Sequence, residues 1–401
     1  MRDGYRTGSA RPLVEASPHP SCVASVVIPV RDEAETLGST LAALADQVDL
    51  AGRPLDRSTF EVIVLANNCR DGSAGLARRF AEARPGLALH VVEREIPARV
   101  AHVGTARRLL MDEACRRLLG LGRARGVIAS TDGDTRVAPS WLAETLAEVA
   151  EGADAVGGDI RTDRPGRSAL GRPSREAYLV DVAYRRGLVE LEARVAPDPA
   201  DPWPRHHHHT GASLAVIAGA YRRVGGLPPL PSSEDLALVE ALRRVDLKLR
   251  HSPKVRVVTS ARRIGRAGGG MADTLRIWSV SGPTFLVEHP ARSEARFERR
   301  RRLRDLWRDA KLGRMTGTLS PELASLVAAS PTFGQFLESI EEAGLAAEPE
   351  VAPEVDVFEA LGLLRGRLAD LRRPGIAALA ASRLLEEVDP VRLLSAPAPM
   401  A

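Results

Sequence analysis

Asp132 and Asp134 stand on either side of Gly133, directly after the apolar run Gly126-Val127-Ile128-Ala129-Ser130-Thr131. In an extended segment residues i and i+2 point the same way. The two carboxylates can therefore aim at one point, and Gly133 lets backbone approach closely. Acids that near repel unless a cation lies between them. Oxygen donors suit Mg2+ or Mn2+, ions usually shared with substrate phosphates rather than caged by protein. The competing reading is an Asp-Gly turn with solvated acids.

Three other stretches carry candidate chemistry. His206-His207-His208-His209 is internal to the chain. His209 is the member placed to complete a metal site with Asp132 and Asp134, since imidazole joins such sites readily, against a solvated loop as the plain alternative. Ser232-Ser233-Glu234-Asp235 opens a helix that carries Leu238 and Leu242 on one face. Acids there fit a capping box and the helix dipole, or a general base. Arg262, Arg263 and Arg266 lie in or beside the glycine-rich stretch 265–270. A glycine-hinged loop bearing arginines suits closure over phosphate, although exposed arginine is abundant in this chain.

The elements that must position these groups follow from periodicity. Strands are expected over 24–30, 61–65, 87–92, 126–130, 154–158 and 254–259. Helices are expected behind Leu37, Leu41 and Leu44, and over 73–83, 103–119, 141–149 and 175–194, with another opening at Glu234. Strands alternating with helices imply right-handed crossovers and a mostly parallel sheet. In such a sheet ligands bind beyond the carboxyl ends of the strands, so 31–35, 66–72 and 131–135 should converge. A basic helix over 294–311 carries Leu303, Leu306, Trp307 and Ala310 as one stripe. That stripe docks on the protein's own core, the alternative being an anionic membrane surface. Short helices follow, with a Glu/Pro-rich linker near 347–354 and a loose tail at 397–401.

Composition narrows the class. A chain of 401 residues with 44% hydrophobic content is long enough for a large globular core. No window approaches the ~18 apolar residues of a transmembrane helix, and residues 1–20 lack an apolar signal region. Cys22, Cys69 and Cys115 have no metal or redox spacing, which fits a reducing, cytoplasmic compartment. The net charge of +4 comes from arginine, and nucleic acid is not an expected partner. A P-loop is excluded because no lysine precedes Lys248. Gly120, Gly122 and Gly126 follow a helix and precede a strand, the reverse of a dinucleotide fingerprint. No G-x-S-x-G elbow is present.

Taken together, Val26-Val27-Ile28-Pro29-Val30-Arg31-Asp32-Glu33-Ala34-Glu35, Asn67-Asn68-Cys69-Arg70-Asp71-Gly72-Ser73, Gly104 with Ala106-Arg107, Thr131-Asp132-Gly133-Asp134, and Val224-Gly225-Gly226-Leu227 with Glu234-Asp235 resemble a non-processive, soluble family 2 glycosyltransferase of the GT-A fold. The resemblance runs from about Ala24 to Thr259. It implies an α/β, Rossmann-like, mostly parallel twisted sheet flanked by helices. Residues 1–23 would be an N-terminal tail, 24–290 the catalytic domain and 291–401 a helical extension. It further implies a nucleoside-diphosphate sugar held by Pro29, Arg31, Glu33, Asn67, Asp71, Arg107, Asp132 and Arg263. The divalent ion, Mn2+ or Mg2+, would sit on Asp132, Asp134 and His209, and the catalytic acids would be Asp235, as base, and Glu234. The reaction implied is inverting transfer to a hydroxyl acceptor. Ala66 stands where the family usually has an acid contacting the base, and the Q-x-x-R-W motif of processive synthases is missing. A nucleotidyltransferase is disfavoured, since Arg31-Asp32-Glu33 replaces a glycine-rich loop after the first strand. A non-catalytic binding protein is disfavoured because every acid is present.

Overall fold

The computed structural model describes residues 11–262, 271–315, 317, 319–345 and 353–373. Arg263, Arg266, most of the linker near 347–354 and the tail at 397–401 lie outside them. The chain begins β1 (Ala24–Val30), α1 (Leu37–Ala45), β2 (Phe60–Asn67), α2 (Ser73–Glu82), β3 (Leu89–Arg94), α3 (Val103–Gly120), β4 (Val127–Ser130), β5 (Thr135–Val137), α4 (Trp141–Ala150) and β6 (Ala155–Thr162). It continues α5 (Arg164–Ala169), α6 (Arg172–Val195), β7 (Leu214–Ile217), α7 (Ala218–Arg223), α8 (Glu234–Arg244), β8 (Leu249–Thr259) and α9 (Met271–Ser281). The remaining elements are β9 (Leu286–Glu288), α10 (Pro290–Lys311), α11 (Pro321–Ala329), α12 (Phe333–Glu342), β10 (Glu354–Asp356) and α13 (Val357–Arg372).

The structure divides into two compact units. One holds residues up to 161 with 209–238 and 254–260, and the other holds 162–208, 239–253 and the residues from 261 onward. An eight-stranded sheet runs in the order β3-β2-β1-β4-β7-β6-β8-β5. Its expected parallel part is β3-β2-β1-β4. All eight residues of β2 are buried, as a β-branched strand covered on both faces requires. The pairs β4–β7, β6–β7 and β5–β8 are antiparallel. β7 was not expected: only four residues long, it returns beside β4 with Ser130 opposite Leu214.

Helix α3 is fixed to the parallel strands by a buried ion pair. Arg117 donates to Glu61 of β2 through Nε at 2.9 Å, and Ser25 of β1 donates to the same carboxylate at 2.7 Å. His90 of β3 lies 3.3 Å from its other oxygen. Burial pushes the Glu61 carboxyl up, but the hydrogen bonds from Arg117, His90 and Ser25 prevail and hold it at about 2. Farther along, Arg108 donates to the carbonyl of Leu227 at 2.8 Å and Tyr221 donates to Asp112 at 2.7 Å. Helix α3 thus also grips the turn at Gly225-Gly226, where φ of 81° and 83° suits glycine alone.

The second unit has its own cores. Leu303 and Leu306 of α10 are buried with Leu323, Val327, Phe333, Phe336 and Ile340, and Trp307 packs half-buried beside them. The stripe on the basic helix is therefore covered, by the helices that follow it. Helix α12 is anchored by Asp246, which accepts from the amides of Phe333 at 2.7 Å and Gly334 at 2.9 Å. Helix α13 packs with α6 through Leu191, Val195, Leu361 and Leu364. No helix among the described residues is long and apolar enough to cross a membrane.

Replacing Arg117 by Met should leave the Glu61 carboxylate buried without its main partner and cost about 3–5 kcal/mol of stability in urea unfolding. In the parent, a carboxyl held low when folded contributes stability above its unfolded value. That contribution should be lost as pH falls from the ordinary glutamate range towards 2.

Candidate functional site

The loops after β1, β2 and β4 meet, as the parallel order requires. Asp71 accepts from the amide of Ala34 at 2.8 Å and from the Ser73 hydroxyl at 2.6 Å. Asp32 accepts from the amide of Arg70 at 2.7 Å. The carbonyl of Gly133 accepts from the hydroxyls of Thr36 and Thr40 at 3.2 and 3.1 Å. Asp32 and Asn68 close their strands in the left-handed region, with φ of 54° and 52°. Such backbone is uncommon for residues other than glycine and tends to gather at functional sites.

Arg107, in the second turn of α3, joins the acids. It is 4% exposed. One terminal nitrogen donates to Asp132 Oδ1 at 2.6 Å and the other to Glu234 Oε1 at the start of α8. The carboxylates of Asp132, Glu234 and Asp235 hold the guanidinium charged against the cost of burial. Burial in turn pushes the Glu234 carboxyl up, against the pull of Arg107. Asp235 turns its carboxylate to the amide of Gly211, at 2.8 Å. Two glycines permit this closeness. A Cβ on Gly211 would lie 2.2 Å from the guanidinium carbon of Arg107, and one on Gly104 would lie 2.0 Å from the carbonyl oxygen of Leu230.

Asp132 is 35% exposed at its side chain, Asp134 is half-buried beside Thr135 and Thr259, and His209 is half-buried. These three do not gather their ligand atoms within 4.8 Å of one another. Among the described residues the trio that does is Asp32, Cys69 and Asp71. The aspartates of that trio already bind loop amides, and burial pushes the Cys69 thiol up, so its chemistry is that of a loop clasp.

Residues 25–196 match the model of glycosyl transferase family 2. They are a family 2 glycosyltransferase domain. The chain is similar to glycosyltransferase AglE of Haloferax volcanii, 27% identical over 143 residues, a match that covers 35% of this chain and 40% of that relative. The match thus spans less than half of that relative's length. Among solved structures it is similar to mannosyltransferase PcManGT from Pyrobaculum calidifontis, in complex with GDP-Man and Mn2+, at 19% identity and a TM-score of 0.43, covering 93% of this chain and 91% of that one. It is also similar to S. aureus TarS 1-349 in complex with UDP, at 15% identity and a TM-score of 0.42, covering 80% and 82%.

Within the glycosyltransferase domain, Pro29 is half-buried on β1 and Asn67 buried at the end of β2. Arg31 is exposed and donates to the carbonyl of Ala101 at 3.2 Å. Glu33 is buried and accepts from Thr36 at 3.1 Å. Glu234, Asp235 and His209 lie beyond the matched residues. Sequence reasoning gave no role to Gly211, whose one signal was its place just after the histidine run.

Glu234 and Asp235 should respond differently to substitution. Glu234→Ala strips Arg107 of a buried partner and should cost about 3 kcal/mol or more in chemical denaturation. Asp235→Asn keeps an oxygen for the Gly211 amide and should stay within about 1 kcal/mol of the parent.

Proposed function

We propose that this chain transfers a sugar, with inversion, from a nucleoside-diphosphate sugar to an acceptor hydroxyl. Asp235 is the general base, and Asp132 and Asp134 are ligands of a divalent ion, Mn2+ or Mg2+. One observation carries the reading. Arg107 joins Asp132 of the β4–β5 loop to Glu234 at the start of α8, with Asp235 the next residue along that helix. Family 2 domain and acid pair alone would leave the base unplaced, because Asp235 lies outside residues 25–196.

The loops around Pro29, Arg31, Glu33, Asn67 and Asp71 are the proposed seat of the nucleoside. Arg263 and His209 are assigned to donor and metal by resemblance. Two carboxylates on one short loop, Asp132 partly exposed, fit a hard cation that completes its coordination with substrate phosphate oxygens. Such an ion supplies positive charge to the departing diphosphate. Asp235 takes the proton of the acceptor hydroxyl as its oxygen bonds to the anomeric carbon. The bond from that carbon to the diphosphate oxygen breaks, and its electron pair leaves with the nucleoside diphosphate. No covalent enzyme intermediate is needed. Cys22, Cys69 and Cys115, free in the structure, suit a cytoplasmic place of action.

Asp235→Asn should lower the transfer rate by about 10²–10⁴-fold while leaving donor affinity nearly unchanged. Turnover near the parental rate would refute the assignment of the base. Replacing Asp132 and Asp134 together by Ala should abolish Mn2+-dependent thermal stabilisation by a panel of nucleoside-diphosphate sugars. Undiminished stabilisation in that double variant would remove the metal from the reading.

A further inference from the structure

Arg107 has the geometry of a support. Both terminal nitrogens are committed to carboxylates, and its Nε is buried without a hydrogen-bond partner. The flat guanidinium lies against the bare Cα of Gly211, where a single methyl group would stand 2.2 Å from its central carbon. The N–H of that same glycine donates to Asp235 Oδ2 at 2.8 Å. Gly211 is thus at once the floor under the guanidinium and the donor that aims Asp235. Shifting Arg107 moves the floor, and with it the carboxylate.

We propose that Arg107 is a positioning residue for sugar transfer, setting the spacing between Asp132 on the donor side and Asp235 on the acceptor side without touching the diphosphate. The inference rests on the function proposed above. The planar fork is what matters: it grips two carboxylates in directions fixed by one rigid plane. A lysine would bring the charge but not the plane, so this exchange is not conservative here. A displacement near 1 Å of a group that must meet an acceptor oxygen is enough to cost about 10²-fold in rate.

The full chain should be compared with Arg107→Lys and, independently, with Gly211→Ala, which presses on the guanidinium from the other side. Three quantities are read: turnover at saturating donor, affinity for UDP and GDP in Mn2+ by calorimetry, and hydrogen exchange at the backbone amide of position 211. The expected result for both variants is turnover lowered by about 10²-fold. Nucleotide affinity should stay within about threefold of the parent, and exchange at the amide of position 211 should quicken at least about tenfold. Turnover within about threefold of the parent in Arg107→Lys would overturn the proposal. So would a loss of nucleotide affinity of about tenfold or more, which would make Arg107 a diphosphate ligand. Failure of both variants to fold overturns it as well, since the residue would then serve the fold and not the chemistry. A parent that transfers sugar from none of the donors sinks the glycosyltransferase reading instead. The Gly211 exchange then still decides the support, and an unchanged rate there refutes it.

Discussion

A guanidinium shut away from water needs negative charge on more than one side, and in this protein that need organises the site. Arg107 meets it with Asp132 from the β4–β5 loop and Glu234 from the start of α8. Charges of one sign crowd around it, with Asp235 close enough to add to the field. Remove the cation and the buried Glu234 is left beside the half-buried Asp132 and Asp235 with nothing to balance three like charges. The arrangement is unfavourable without a partner cation and favourable with one. A divalent ion on the exposed side of Asp132 would add a second cation to the same acids, shared between protein and substrate.

The sheet supplies the frame for this charge balance. Its parallel part places the ends of β1, β2 and β4 side by side, and hydrogen bonds among Asp71, Ala34, Thr36, Thr40 and Gly133 fasten those ends to one another. The antiparallel β7 brings residues 210–213 back to the end of β4, where Thr131 donates to the carbonyl of Ala212 at 3.0 Å. Gly211 arrives at the guanidinium by that return.

What could be read from sequence tracks how local the signal was. β1 and β2 announce themselves through unbroken β-branched runs, and the residues around 31–35, 66–72 and 131–135 converge because parallel strands leave them no alternative. The Asp132/Asp134 pair was legible from a spacing of two. The partner of Arg107 was not, since Glu234 lies 127 positions away and nothing local links them. The three residues of β5 and the four of β7 carry too little pattern to show direction. That an apolar stripe on 294–311 would be covered was legible from its period, but which helices would cover it was not.

Helix α3 buries one arginine near its start and another near its end. Arg107 and Arg117 are ten positions apart, about 15 Å of helical rise. Each is locked to acids contributed by a different part of the chain. A rod clamped at both ends can neither slide by a turn nor rotate about its axis. The separation of Asp132 from Glu234 is therefore tied to the far end of the parallel strands. The Arg117–Glu61 pair, ten residues along the helix from Arg107, is the benchmark against which that distance is kept.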